Sequence, residues 1–319
     1  MIIALVSFAF SFSKLTAPFE EKSFLSWMRN TNQYFTGEEY HFRLGIFLTN
    51  SRLVKEFNSA QKTFKVGINK FSCYTPSEYQ VLLGRLQFPT QSRLINTRNI
   101  NDDLPDSVDW REKNIVNEIK DQGNCGSCWA FATVQACESA YALSHGTLYS
   151  CSEQNLVDCV SSCGGCSGGL ESTALDHIIK TQNGYLISEN DYPYAAVVST
   201  CKYDPSKGIN QIKSYEKGVP GDEKYLQKLI AQGVCDISIN ANYWSFQSYK
   251  SGIYDNPDCI GVILNHAVGL VGYGTENGAD YWIVRNSWGK SWGEEGYIRM
   301  SRNNYDQCGI ADSPILVHT

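Results

Sequence analysis

Cysteine placement constrains this chain more than any other feature. Of twelve cysteines in 319 residues only Cys73 precedes residue 104, and the other eleven run from Cys125 to Cys308. Eleven is odd, so at least one thiol of the later segment stays out of intramolecular pairing. The length suits two ordinary domains, or one large domain with an appendage. Charge divides at the same point: residues 18–103 carry 11 Lys/Arg against 8 Asp/Glu, and residues 104–319 carry 15 against 25. A basic leader before an acidic body predicts mutual attraction. The net charge of −6 argues against a nucleic-acid partner, which would call for a basic face. Beyond the first dozen residues no apolar run approaches the roughly 20 residues that span a bilayer. Residues 2–12 read as the apolar core of a signal peptide, with Leu15-Thr16-Ala17 as its cleavage site and no basic flank. The other reading of that run is a buried first strand. A secretory route agrees with a disulfide-rich body.

Residues 20–85 read as helical, with few Gly and no Pro before Pro76. Within them Glu39, Arg43, Phe47, Asn50, Val54 and Asn58 fall on one stripe of a helix, mixed in chemistry and unlike a plain apolar face. Residues 86–103 are rich in Asn, Gln and Arg and read as an exposed linker. A long Ala-rich helix begins at Cys128, and a second opens at Ser152. Later segments at 235–240, 266–273, 281–286 and 296–300 are short, β-branched or aromatic, and bounded by Gly and Asn. Helices first and strands later predict an α+β fold.

The sharpest local feature is residues 122–129, Gln-Gly-Asn-Cys-Gly-Ser-Cys-Trp. A glycine-rich loop feeds straight into a helix and places the Cys128 thiol at its N-terminus, where free N–H groups and the helix dipole favour a thiolate. Gln122 can aim an amide at a developing oxyanion. His266 starts an apolar strand, and the turn at Glu276-Asn277-Gly278 makes residues 266–286 a hairpin. Both His266 and Asn286 then lie at its open end, in contact given a bulge or a diagonal pairing. An Asn beside a His fixes its tautomer and leaves the other nitrogen for a thiol proton. Singly, each residue also fits a structural role: a buried cysteine, a satisfied core histidine, and Trp-Gly pairs at 288–289 and 292–293 that only pack.

Together these residues resemble the precursors of the papain family of cysteine proteases, in particular cathepsin L-like enzymes such as those of parasitic protists. The likeness runs from about Phe24 to Pro314, and the stripe matches the family's prosegment helix motif with Val54 where Ile is usual. The resemblance implies a papain-like two-lobed α+β fold, a helical lobe beside a β-barrel-like sheet lobe, behind an N-terminal helical inhibitory prosegment. It divides the chain into a signal peptide (1–17), prosegment (18–103) and mature peptidase domain (104–319), cut near Asp103-Leu104. It makes Cys128 the nucleophile of an acyl-enzyme mechanism and His266 its proton partner. Asn286 orients the imidazole under Trp288, and Gln122 joins the backbone N–H of Cys128 at the oxyanion. Gly168 and Gly169 match the strip that pairs with substrate backbone. Leu170, Glu171, Ser238, Leu264 and Ser313, beside Asn265, match the specificity pocket. Glu171 and the serines make that pocket unusually polar, which predicts aliphatic side chains at the substrate's second position and tolerance of basic ones. Implied disulfides join Cys125 to Cys166, Cys159 to Cys201, and Cys259 to Cys308. Protein and peptide substrates, the prosegment and cystatin-type inhibitors are the implied partners of a monomer. No cofactor and no metal are implied, and a lysosome-like vesicle or the exterior is the implied location.

Several residues depart from the pattern. Cys73 stands where an Asp is usual, which weakens an Asp-based acid trigger and reads otherwise as a buried thiol. Cys137, Cys151, Cys163 and Cys235 fit two further bridges or four free thiols equally well. Two Cys-x-x-Cys pairs, at 125/128 and 163/166, also suit a zinc or redox site, but that reading leaves His266 and Asn286 unexplained. A catalytically dead binding protein would usually lack the nucleophile or the base, and this chain retains both. No insertion with paired histidines lies between Cys166 and Cys201, and the linker has no cysteine to tether a blocking peptide, so endopeptidase is preferred to exopeptidase. No Asn-x-Ser/Thr sequon occurs, which argues against sorting by N-glycans.

Overall fold

The computed structural model describes residues 18–60, 63–86, 103–259 and 263–319. The expected signal peptide and most of the expected linker lie outside these. Among the described residues no helix is long and apolar enough to cross a membrane.

The leader contains α1 (Pro18–Asn30), α2 (Gly37–Ala60), β1 (Phe64–Val66) and α3 (Pro76–Leu82). Its own core gathers Phe24, Trp27, Met28, Leu44, Phe47, Leu48 and Cys73. The mixed stripe has a job at each polar position. Arg43 forks onto Glu78 at 2.5 and 2.6 Å and reaches Glu39 and the Cys73 carbonyl, while Asn50 donates to the Ser72 carbonyl. Asn58 holds both the N–H and C=O of Val66. The expected all-helical leader is therefore corrected: residues 64–66 form an edge strand, held by Asn58 and paired with a strand of the body. A three-residue strand is too short to show its period in sequence, and its partner lies far along the chain.

In the body, β2 (Val108–Asp109) precedes the helical part: α4 (Cys128–His145), α5 (Glu153–Cys159) and α6 (Glu171–Thr181). Ser152 caps α5 by accepting the Asn155 N–H. Residues 128–139 of α4 are buried on every side, the signature of a helix sunk between layers. A small ribbon, β3 (Tyr185–Ile187) with β4 (Gly208–Gln211), flanks this half. The sheet half follows with β5 (Ser214–Lys217), α7 (Glu223–Ile230), β6 (Cys235–Ile239), α8 (Trp244–Gln247), β7 (Tyr249–Tyr254), β8 (His266–Glu276), β9 (Ala279–Arg285), β10 (Tyr297–Ser301) and β11 (Ile315–His318). The strand order is β1-β7-β10-β9-β8-β6-β11-β5, with β2 also on β8, so the leader supplies an edge strand. Separate cores fill the sheet half and the helical half. Cys125–Cys166, Cys159–Cys201 and Cys259–Cys308 are bonded. Cys73, Cys128, Cys137, Cys151, Cys163 and Cys235 are free thiols. The first of these bridges takes one sulfur from each Cys-x-x-Cys pair, which removes the zinc reading.

Candidate active site

Cys128 is the first residue of α4, behind a loop tied down by the Cys125–Cys166 bridge. His266 opens β8 and Asn286 follows β9, so the hairpin brings both to the end of α4. Its turn is the two-residue Asn277-Gly278 loop, with φ of 52° and 80°, the mirror-image geometry that suits twisted hairpins. A register shift between Leu270 and Gly272 supplies the bulge that the residue count required. His266 Nε2 lies 2.8 Å from Asn286 Oδ1, which also accepts the Ser287 N–H at 2.8 Å. With Oδ1 as acceptor, Nε2 carries the ring proton. His266 Nδ1, buried and without a hydrogen-bond partner, is left for the thiol. Trp288 stacks on the imidazole at 4.7 Å. The Ala267 N–H points to Cys128 Sγ at 3.5 Å.

The sequence predicts a stabilised thiolate here, and in this covered state burial opposes it. Burial pushes the Cys128 thiol up to about 12, against N–H groups of Ala267, Gly84 and Trp129 that favour the anion. Burial likewise pushes the His266 imidazole down to about 4, against the Asn286 hydrogen bond. Burial under the leader thus disfavours the charged form of both groups. A helix terminus favours an anion by about 0.3–1 kcal/mol at exposed sites, less than desolvation costs in a covered one.

The cover is the leader. After α3 the chain passes over Cys128 as a strap. Gly84 packs against the Gly126 carbonyl so closely that a Cβ would stand 1.8 Å from that oxygen. Gly169 donates to the Gly84 carbonyl (2.8 Å) and accepts from the Leu86 N–H (3.0 Å), a parallel bridge, while the Arg85 N–H donates to the Asn265 carbonyl (3.2 Å). Gly168 bonds within its own loop, to Gly164 and Gly165, and only abuts the strap. Gln122, expected at an oxyanion, here donates its amide to the carbonyls of Leu82 (3.0 Å) and Cys125 (2.9 Å) and accepts from Ser287 Oγ. The Leu82 carbonyl, at the end of α3, thus occupies the Gln122 amide. Phe71 and Tyr79 of the leader edge onto Trp288 at 5.2 and 5.8 Å.

Of the sequence-predicted pocket, Glu171, Leu264, Asn265 and Ser313 all contact Arg85, and Ser238 donates to Glu171 at 2.8 Å. Leu170 precedes α6 with its N–H on Cys163 Sγ at 3.5 Å. Glu171, 3% exposed, faces inward. Sequence reasoning missed Leu82, Gly84 and Arg85. Their one signal was a Gly-Arg step between the last leader helix and the linker.

Two family profiles match the chain: "Papain family cysteine protease" over residues 104–318 and "Cathepsin propeptide inhibitor domain (I29)" over residues 24–79. Among curated proteins, cysteine proteinase RD21A of Arabidopsis thaliana is 45% identical over 85% of this chain, and cysteine proteinase 3 of Dictyostelium discoideum 38% identical over 98%. The alignments span 60% and 96% of those two proteins and 65% of the related RD21B, so the plant relatives are longer than the shared region. Among solved structures, digestive procathepsin L 3 of Tenebrio molitor superposes with a TM-score of 0.85 at 34% identity, over 95% of this chain and all of that one. The proform of the ragweed pollen allergen Amb a 11 gives a TM-score of 0.84 at 33% identity, over 94% of each chain. The chain belongs to the papain family of cysteine proteases and carries that family's inhibitory propeptide domain in front of the protease domain.

Proposed function

We propose that residues 104–319 form a cysteine endopeptidase held latent by residues 18–103. The observation that carries this reading is the strap of residues 82–86, which pairs with Gly169 and Asn265 as an extended peptide would and crosses Cys128. Once the strap leaves, water reaches the site and the desolvation that disfavours the charged forms of thiol and imidazole is relieved. Cys128 then passes its proton to His266 Nδ1, and the thiolate attacks the peptide carbonyl. The oxyanion is met by the Gln122 amide and the Cys128 N–H. His266 protonates the leaving amine, giving an acyl-enzyme, and then takes a proton from the water that releases the acid. Asn286 and Trp288 hold the ring for both transfers. The three bonded cysteine pairs support passage through an oxidising compartment, and so a vesicular or extracellular site of action.

The test is to incubate the precursor at mildly acidic pH with reductant. The expected result is a new N-terminus near Leu104 together with cleavage of a fluorogenic dipeptide, both lost in Cys128→Ala. Conversion without peptidase activity would contradict the reading.

A further inference from the structure

The strap places one long side chain, Arg85, into the pocket between the lobes. Its Nε lies 3.2 Å from Glu171 Oε1, Nη1 3.3 Å from the Leu264 carbonyl and Nη2 3.4 Å from Ser313 Oγ. Nη1 and Nη2 each donate to a separate acceptor while Nε faces the carboxylate, a spread that the single nitrogen of lysine cannot reproduce. The Nε contact is an ion pair by distance without a directed hydrogen bond. Glu171 is fixed by Ser238 Oγ, and among the described residues the cation paired with it is Arg85.

A second carboxyl lies close by. Along β6, Cys235, Ile237 and Ile239 enter the sheet core, so Asp236 and Ser238 share the opposite face. Asp236 is 1% exposed, touches Thr133 Oγ1 at 3.5 Å, and leaves Oδ1 without a partner. Burial and then the Glu171 charge push its carboxyl well above the usual range, with Arg85 opposing. Asp236 is thus pushed toward its neutral form. An aliphatic side chain entering here would leave Glu171 buried and unpaired, which is costly.

We propose that this pocket selects arginine in the substrate, at the residue whose backbone pairs with Gly169, and that Glu171 is the specificity-determining residue. Arg85 is the leader's copy of that side chain. This sharpens the sequence expectation, which placed aliphatic residues first, and it rests on the peptidase reading above.

The experiment compares kcat/KM of the mature enzyme on fluorogenic dipeptides that differ only at this position: arginine, its uncharged isostere citrulline, lysine and leucine. Rates are expressed per alkylatable Cys128, so any misfolded fraction drops out. The expected order places arginine above lysine and at least about tenfold above citrulline and leucine. Glu171→Gln should lower the arginine-to-leucine ratio by about tenfold or more, and Glu171→Asp should recover part of it. In the full precursor, Arg85→Leu should speed acid conversion several-fold. A wild-type enzyme that turns over leucine as well as arginine, or a ratio unmoved in Glu171→Gln, overturns the selectivity while leaving the peptidase reading intact. No turnover of any of the four peptides by an enzyme with a titrated thiol overturns both.

Discussion

At the residue scale, the cluster proposed here as catalytic was legible because loop glycines, a helix start and a hairpin turn each have a local sequence signature. Gln122, Cys128, His266 and Asn286 could be named without coordinates. Protonation state was not legible, because it depends on what covers the site: Gly84 and Arg85 come from a segment with no strong motif, far from Cys128 in sequence. Asn286 acts through His266 by fixing Nε2 as the protonated nitrogen. Asn286→Ala should therefore lower kcat of the mature enzyme by roughly a hundredfold, within the range typical of acid–base catalysis. The pH profile should change with it, as the freed ring samples both tautomers. A loss confined to KM would show that Asn286 only supports substrate binding.

At the scale of elements, the α2 stripe and the β8–β9 hairpin were readable from period and turn chemistry, whereas β1 was not. Residues 64–66 become a strand through Asn58 and the edge of β7, neither of which leaves a periodic trace. The strap is likewise shaped by contact rather than propensity. Its closest approach is Gly84 to the Gly126 carbonyl, where a Cβ would stand 1.8 Å from a backbone oxygen that has no rotamer to yield. Gly84→Ala should lift the strap and raise the basal activity of the uncleaved precursor on a small fluorogenic peptide by at least about tenfold, about 1.4 kcal/mol of lost latency. The Tm of the body should stay unchanged. Latency equal to wild type would mean that the strap is held elsewhere.

At the scale of the molecule, the basic leader and acidic body seen in the charge count meet through named pairs, Lys70–Asp121 (2.5 Å) and Arg85–Glu171 (3.2 Å). Inside the leader, the Arg43 fork holds the Glu78 carboxyl down to about 2, from 4.5. A depressed carboxyl contributes stability above its unfolded value, and that contribution is lost as pH falls toward the folded one. The Arg43–Glu78 tie therefore keeps its full strength above about pH 5, weakens between pH 4.5 and 2, and is gone below. Mild acid leaves most of the leader's internal latch in place. In a Cys128→Ala precursor, near-UV circular dichroism should report an intact leader at pH 5 and its loss near pH 2–3, with Arg43→Ala moving that transition upward. A leader that melts at pH 5 in both proteins would place acid sensitivity in some other group.

Latency turns on burial by the strap overriding the helix terminus and the imidazole. It is tested most directly by the pH dependence of Cys128 alkylation by a small thiol reagent, read by mass spectrometry on the uncleaved precursor and on the mature enzyme. A reactive plateau extending into weak acid for the mature enzyme is predicted, abolished by His266→Ala, with Cys128 of the precursor inert from pH 4 to 9. The same acidic plateau in both forms, or an ordinary thiol curve in the mature enzyme, would contradict it.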